Sequence, residues 1–327
     1  MVGYIGFLTL LFAGTTSLVS FNYSILNDKV KKLKQWSLSA GNPLQSRGGT
    51  SETLRNGIVS NTENVKAISV HNSKHLKPMS DNQFGHYLAG LIDGDGHFSS
   101  QQQLVIVFSS SDVSLAYYIK ERLGYGHVKK VKDKNAYLLI IANKEGLKKV
   151  INLINGKLRT ANKYNQVINN ILNHSSYADL KESIVFKVNS TNDFNNHWIA
   201  GFSDADASFQ IKVVHRVNRS KPEIRLNYQI DQKNNDILIL IKEFFGGNIG
   251  YRKSQDTYYY GSTSFGSARK VIKYFDEFHL QSSKYINYLK WRKAYILIQN
   301  KDHLTDQGIK QIIKLKNSMS SLNNDTI

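Results

Sequence analysis

Residues 88–98 read LAGLIDGDGHF, and residues 199–209 read IAGFSDADASF, at a constant offset of 111 (199 − 88). Each stretch is a run of helix formers that ends in two carboxylates separated by one small residue. These are Asp93-Gly94-Asp95 and Asp204-Ala205-Asp206. A carboxylate at a helix C-terminus meets the negative end of the macrodipole, so a core helix gains nothing from this ending. Gly90 and Gly94 fall one turn apart on one helical face, as do Gly201 and Ala205, and small residues at i and i+4 let two helix backbones approach closely. Leu88, Leu91 and Ile92 supply the apolar face turned to their own half. If the two helices pack together, Asp95 and Asp206 lie side by side, and they repel unless a positive charge stands between them. A hard, oxygen-preferring ion such as Mg²⁺ meets that need. Two or more such ions can clamp the attacking and leaving oxygens of a phosphodiester. A calcium loop is excluded, because Leu104 stands where an EF-hand requires an acid.

Around both motifs the same order of elements is expected. In the first half a helix over QFGHYLAGLIDGDG leads to two strands in FSSQQQLVIVFSS, turning near Gln102. DVSLAYYIKERLG follows as a helix with Asp112 as N-cap, GHVKKVKDK and AYLLIIANK as a hairpin, and KEGLKKVINLING and NKYNQVINNILNH as helices. In the second half a helix NHWIAGFSDADAS leads to strands FQIKVVHRV and EIRLNYQID and helix NDILILIKEFFGG. Strands NIGYRKSQ and YYYGSTSFG come next, and helices SARKVIKYFDEFH and SSKYINYLKWRKAYILI close it. The result is an α+β chain of tandem αββαββα repeats with a pseudo-two-fold relation and one site between the halves. Boundaries are expected at 1–36 (an apolar N-terminal segment), 37–81 (a Ser/Asn/Gly-rich flexible linker), 82–176 (first repeat), 177–193 (connector), 194–318 (second repeat) and 319–327 (tail).

The chain carries 43 Lys+Arg against 25 Asp+Glu, a net charge of +18, which points to a polyanionic partner. It has no cysteine, which excludes disulfides and thiolate metal sites. His71 and His75 share a metal-like spacing but sit in the polar stretch HNSKH and are read as solvated. Richness in Asn, Lys, Ile and Tyr with only three prolines suits an A/T-rich genome such as an organelle's. Residues 1–27 contain no charged side chain. Their apolar part is short for a membrane span of ~20 residues, and is read either as a vestigial membrane segment or as an apolar tail.

The paired motifs and the repeat around them, from Asn82 to Lys316, resemble the LAGLIDADG homing endonucleases in the single-chain two-repeat form of organellar group I introns. Gly94 is the first motif's departure from the family pattern; Ile199, Phe202, Ser203 and Ala207 depart in the second, and Ala207 leads us to expect a tighter or shifted turn. The resemblance implies two four-stranded antiparallel sheets that form a DNA-binding saddle, with the motif helices at the interface. It implies a monomer that needs no protein partner, acts on double-stranded DNA and resides in the mitochondrion rather than the chloroplast. Asp95 and Asp206 would hold Mg²⁺, with the carbonyls of Gly94 and Ala205 as further ligands. Lys163 (or its rival Lys157) and Lys284 would be the basic residues near each centre. Each aspartate would serve one strand, leaving short 3′ overhangs. The natural target would be an intronless copy of the host gene, and residues 1–36 would be an exon-derived remnant.

Sheet alternation fits base reading: Gln210, Lys212, Arg225, Asn227 and Gln229 lie opposite apolar partners along their strands, with Ser99, Gln101 and Gln103 as first-half counterparts. Lys129, Lys130, Lys132, Arg252 and Lys253 in the second hairpins suit phosphates. The alternative is a maturase that binds group I intron RNA and assists splicing, alone or in addition to cleavage. A non-catalytic DNA-binding regulator ranks below both, since a chain freed from cleavage could lose either aspartate.

Overall fold

The computed structural model describes residues 67–217 and 220–320. The apolar segment 1–36, linker residues 37–66 and the end of the tail fall outside the described residues.

The first repeat runs α1 (Asp81–Asp95), β1 (Gly96–Ser99), β2 (Gln103–Ser109), α2 (Val113–Leu123), β3 (His127–Lys130), β4 (Ala136–Ile141), α3 (Lys144–Ile154) and α4 (Ala161–Val167), the last extended by a π turn. A short α5 (Ala178–Ser183) lies in the connector. The second repeat runs α6 (Trp198–Asp206), β5 (Ala207–Val214), β6 (Glu223–Gln232), α7 (Asp236–Phe245), β7 (Asn248–Arg252), β8 (Thr257–Gly261), α8 (Phe265–Glu277), α9 (Lys284–Gln299) and α10 (Asp306–Ser320). Each repeat forms one antiparallel four-stranded sheet, ordered β1-β2-β4-β3 and β5-β6-β8-β7.

Local chemistry accounts for most boundaries. Ser80 caps α1 in a capping box with Gln83. Gln102 takes a positive φ in the β1–β2 turn, where the sequence placed the reversal. Asp112 does occupy the N-cap of α2, but its carboxylate makes no cap bond. It accepts instead from the Ser109 hydroxyl and from the Ser283 backbone N–H of the second repeat. Ala207 does not shift its turn. It is as extended as Gly96 in the first repeat (φ −94° against −76°), so an alanine fits there without strain.

The motif helices α1 and α6 pack through their small residues. A Cβ on Gly90 would collide with the carbonyl of Trp198, and one on Gly201 with the carbonyl of Tyr87. Trp198 is the counterpart of Tyr87 at the offset of 111, so the crossing is reciprocal. Leu88, Leu91 and Ile92 are buried, as their spacing predicts.

Residues 67–80, the end of the stretch read as a flexible linker, lie extended, first along the second repeat and then, at Lys77 and Met79, against Tyr118 and Arg122 of the first. The Ile68 N–H donates to Gln299 Oε1 (2.9 Å), and Gln299 Nε2 donates back to the Ile68 carbonyl (3.0 Å). The buried guanidinium of Arg292 pairs with Asp276 and also donates to Asn72 Oδ1 (3.0 Å) and the His71 carbonyl (3.2 Å). His75, read as solvated, hydrogen-bonds the Leu280 carbonyl (2.8 Å) and packs on Tyr285. The segment has no hydrophobic period because main-chain and polar side-chain bonds hold it.

Candidate active site and nucleic-acid face

Residues two apart on a helix point about 200° away from each other, so the two acids of each motif have separate surroundings. The first acids face inward. Asp93 accepts from the N–H of Arg159 (2.7 Å) and Thr160 (3.2 Å), the Thr160 hydroxyl (2.6 Å) and Trp198 Nε1 (2.9 Å). Asp204 accepts from the N–H of Gln281 (2.7 Å) and Ser282 (3.3 Å), the Ser282 hydroxyl (2.5 Å) and the Tyr87 hydroxyl (2.7 Å). Each acid thus anchors the segment that enters α4 or α9 in its own half, and is bound by the aromatic ring of the opposite motif helix. Burial pushes Asp93 up to about 6 despite these donors, and raises Asp204 as well.

The second acids close the two helices at one end. Asp206 is buried and Asp95 half-buried. Burial, and then the charge of Asp95, hold Asp206 well above the usual carboxylate range, while Lys284, Gln232 and Lys163 pull it down. Gln232 Nε2 donates to Asp206 Oδ2 at 2.5 Å. Asp206 Oδ1 is buried and has no hydrogen-bond partner among the described residues. A Cβ on Gly94 would press on the Ala205 methyl and stand 3.1 Å from Asp206 Oδ2, so this glycine leaves room for the carboxylate.

Two of the three candidate lysines reach this end. Lys163 is buried, and its Nζ donates to the Gly96 carbonyl (2.5 Å); burial lowers its pKa. Lys284 Nζ donates to the carbonyls of Ala205 (2.6 Å) and Ser203 (3.2 Å). The Ala205 carbonyl expected at a metal is therefore shared with an ammonium group. Lys157 lies beside Gly85 and His86 on the N-terminal half of α1. The lysines are not strictly equivalent. Lys163 follows Arg159 by four residues and Lys284 follows Gln281 by three, although Arg159 and Gln281 make the same bond to their aspartates.

The carboxylates fit a hard cation: among the described residues a buried carboxylate oxygen has no partner, and a second acid is close enough to raise its neighbour. Among the described residues no group of three or more His, Cys, Asp or Glu could hold a metal. A cation here would therefore draw its remaining oxygens from main-chain carbonyls, water or a substrate.

The sheet face turned away from the core carries the expected base readers. On β6 this face presents Arg225, Asn227, Gln229 and Asp231, with Gln210 and Lys212 paired across on β5. Asn227 and Gln229 are buried in a side-chain ladder. Asn227 donates to Gln229 Oε1 (3.1 Å), Gln229 to Asp231 Oδ2 (2.8 Å), and Arg252 to Asp231 Oδ1. Arg252 also lies over the Tyr259 ring (4.5 Å), so it is braced within the sheet face rather than extended from the hairpin tip. Arg225 and Arg216 both donate through Nε to Glu223 (2.8 and 2.9 Å). Ser99 and Gln103 pair with each other at the end of β1–β2, and Gln101 is exposed in the turn. Lys129, Lys130, Lys132 and Lys253 are exposed. Sequence reasoning passed over Gln232, Asp231 and Glu223. The period-2 pattern of EIRLNYQIDQ places Glu223 and Asp231 on the polar face, but only the fold brings Gln232 to Asp206.

The profile of the LAGLIDADG endonuclease family matches residues 88–174 and 199–295, the two repeats just described. The "uncharacterized cox1 intron-2 37.2 kDa protein" of Schizosaccharomyces pombe is 61% identical over 321 residues, 95% of this chain and 97% of its own. The intron-encoded DNA endonuclease aI3 of Saccharomyces cerevisiae is 30% identical over 294 residues, 74% of this chain and 69% of its own. Among solved structures, the LAGLIDADG meganuclease I-AabMI bound to uncleaved DNA aligns with a TM-score of 0.57 at 22% identity, covering 72% of this chain and 98% of that one. With both repeats matched and the same fold found, the chain is a two-repeat member of the LAGLIDADG endonuclease family.

Proposed function

We propose that this protein is a site-specific, Mg²⁺-dependent DNA endonuclease encoded by a mitochondrial intron. It acts as a monomer and cuts both strands of an imperfectly symmetric target, leaving 3′ overhangs. The observation that carries this is the meeting of Asp95 and Asp206 at one end of the motif helices, with Asp206 Oδ1 unpartnered among the described residues and a lysine on each side. Asp95 and Asp206 would hold the metal, with the Gly94 and Ala205 carbonyls as neighbouring oxygens. When bound, Mg²⁺ supplies Lewis-acid stabilisation of phosphoryl charge. The chain's own part is to place the scissile phosphates and to bring Lys163 and Lys284 near the charge that develops on them. The two sheets would straddle the duplex in the major groove. Arg225, Arg252, Gln210, Lys212, Asn227, Gln229, Ser99, Gln101 and Gln103 would stand toward bases, and the hairpin lysines toward phosphates. The similarity to a cox1 intron-2 protein and to an intron-encoded DNA endonuclease supports the mitochondrial placement and the substrate.

The test is cleavage of a library of exon–exon junctions from mitochondrial DNA in Mg²⁺, with wild type, Asp95→Asn and Asp206→Asn. One site cut on both strands by wild type, and nicked or spared by each variant, is the expected result. Absence of any DNA cleavage together with tight binding to a structured intron RNA would replace this function by the maturase one. Affinity for the target should also fall steeply with salt, because phosphate contacts release counterions.

A further inference from the structure

The two sheets differ chemically on the face turned away from the core. The register makes the comparison residue by residue. Gly96 pairs with Ile106 and Ala207 with Ile230, so Val105 matches Gln229 and Val107 matches Asp231. On the next strand, Leu138 matches Tyr259 and Ile140 matches Gly261. Where the second sheet carries Gln229, Asp231, Tyr259 and Gly261, the first carries Val105, Val107, Leu138 and Ile140, while Gln103 stands in the place of Asn227. Val107 is buried, but Val105, Leu138 and Ile140 do not belong to the core. Leu104, Ile106, Leu139 and Ile141 alternate with them and fill it. Val105, Leu138 and Ile140 are partly exposed and are not packed against the core cluster. Val105 and Ile140 pair directly across β2–β4, and Leu138 lies two residues from Ile140, so the three form one aliphatic strip.

Basic side chains border the strip on β3. Lys129 pairs with Leu138 on β3, and His127 with Ile140. Lys130 and Lys132 follow in the same hairpin. An aliphatic strip edged by exposed lysines suits a partner with a negative backbone and small apolar groups between the charges. In the major groove of duplex DNA, the C5-methyl of thymine is the base-edge group read by apolar contact. The pseudo-two-fold relation places this strip against one half of whatever duplex the second sheet engages.

We propose that the first repeat reads its half-site through thymine methyl groups on Val105, Leu138 and Ile140, while the second repeat reads its half by hydrogen bonds. The inference rests on the endonuclease function proposed above. It predicts an unequal target: one half-site in which thymines at defined steps matter for their methyl groups, and one in which they do not.

Replacing thymine by deoxyuridine removes that methyl and leaves every hydrogen-bonding group in place. The experiment measures binding of the full-length protein to its target with single dT→dU replacements scanned through both half-sites. The chain has no cysteine. Lys132→Cys carrying a tethered iron chelate therefore marks which half-site lies under the first repeat. Each sensitive dU there is expected to weaken binding about threefold to fivefold, the effect of one buried methyl group. The same scan on the other half should leave binding within error, and Val105→Ala with Ile140→Ala should erase the dT/dU difference. Equal binding of dU and dT targets throughout, or sensitivity confined to the second half-site, would overturn the proposal while leaving the endonuclease function intact. Failure of the unsubstituted duplex to bind specifically would sink the endonuclease function and this inference with it.

Discussion

Gln232 Nε2 donates to Asp206 Oδ2 at 2.5 Å from the last residue of β6. The register places Phe108 at the matching position of β2, where it is buried among apolar neighbours. At matching places in the two sheets, one strand thus ends in an amide that holds Asp206 and the other carries a hydrocarbon ring. On the function proposed above, in which each aspartate serves one strand and binds metal, Gln232→Leu is expected to slow cleavage of the Asp206 strand by about 10–100-fold, the usual effect of losing a group that orients a metal-binding carboxylate. Strand-specific end labels on a supercoiled or linear target read this directly. Equal slowing of both strands would contradict the assignment.

The first and second acids should separate stability from chemistry. Asp93 and Asp204 each accept four hydrogen bonds, and removing either leaves buried donors without acceptors. Asp93→Ala or Asp204→Ala is expected to lower unfolding free energy by about 2–4 kcal/mol. Asp206→Asn is expected to leave stability unchanged or to raise it by about 1 kcal/mol, since it removes one of two repelling carboxylates. Urea denaturation of the three variants distinguishes the two kinds of position.

The crossing of α1 and α6 tolerates no side chain at its centre. Gly90→Ala would place a methyl against the Trp198 carbonyl and the Phe202 N–H, and Gly201→Ala would do the same at Tyr87 and Leu91. Either should destabilise the protein by about 1–3 kcal/mol, the range for overpacking. Loss of cleavage should exceed loss of folded protein, because separating the helices also separates Asp95 from Asp206. Circular dichroism and cleavage rates on the same preparations test this.

His86 and His197, equivalent at the offset of 111, are both lowered to about 4, chiefly by burial. The Nδ1 of each is buried without a partner among the described residues. In the unfolded chain they titrate near 6.5. Between these values the unfolded state binds more protons, so their effect is to reduce stability as pH falls from about 6.5 toward 4. Asp93, raised to about 6, acts in the opposite direction over an overlapping range, so the measurement must be a difference. Between pH 7.5 and 5, His197→Gln should lose less stability than wild type in urea titrations. An identical loss would remove His197 as a source of the pH dependence.

The sequence was most informative where a function is local. The offset of 111, the small residues one turn apart and the paired acids all lie within eleven consecutive positions, and their joint meaning survives folding. Alternation in FQIKV and IRLNYQI likewise placed the polar face of the second sheet. LVIVF and YLLII do not alternate, so the first sheet's outer face was invisible as a feature. Gln232 lies 26 residues beyond Asp206 and joins it only through the pairing of β5 with β6. Asp93 and Asp204 look like Asp95 and Asp206 in sequence; the 200° between them on the helix separates their roles. The ladder that buries Asn227 and Gln229 was also hidden, because each residue alone looks like a solvated base reader.

The extended segment 67–80 has a consequence for the order in which the protein is made. Ile68 meets Gln299 across 231 positions, and Ser73 meets His279 across 206. A chain leaving the ribosome presents this segment early and its receiving surface on α8 and α9 late. The first repeat can form its sheet from neighbouring hairpins in the meantime, whereas contacts of such long separation form slowly and last. Ile68 and the backbone around it then wait without cover until α9 has emerged. Docking of 67–80 is thus a final clasp that only a chain translated through α9 can close. A product cut short before α9 would keep this arm open to proteases.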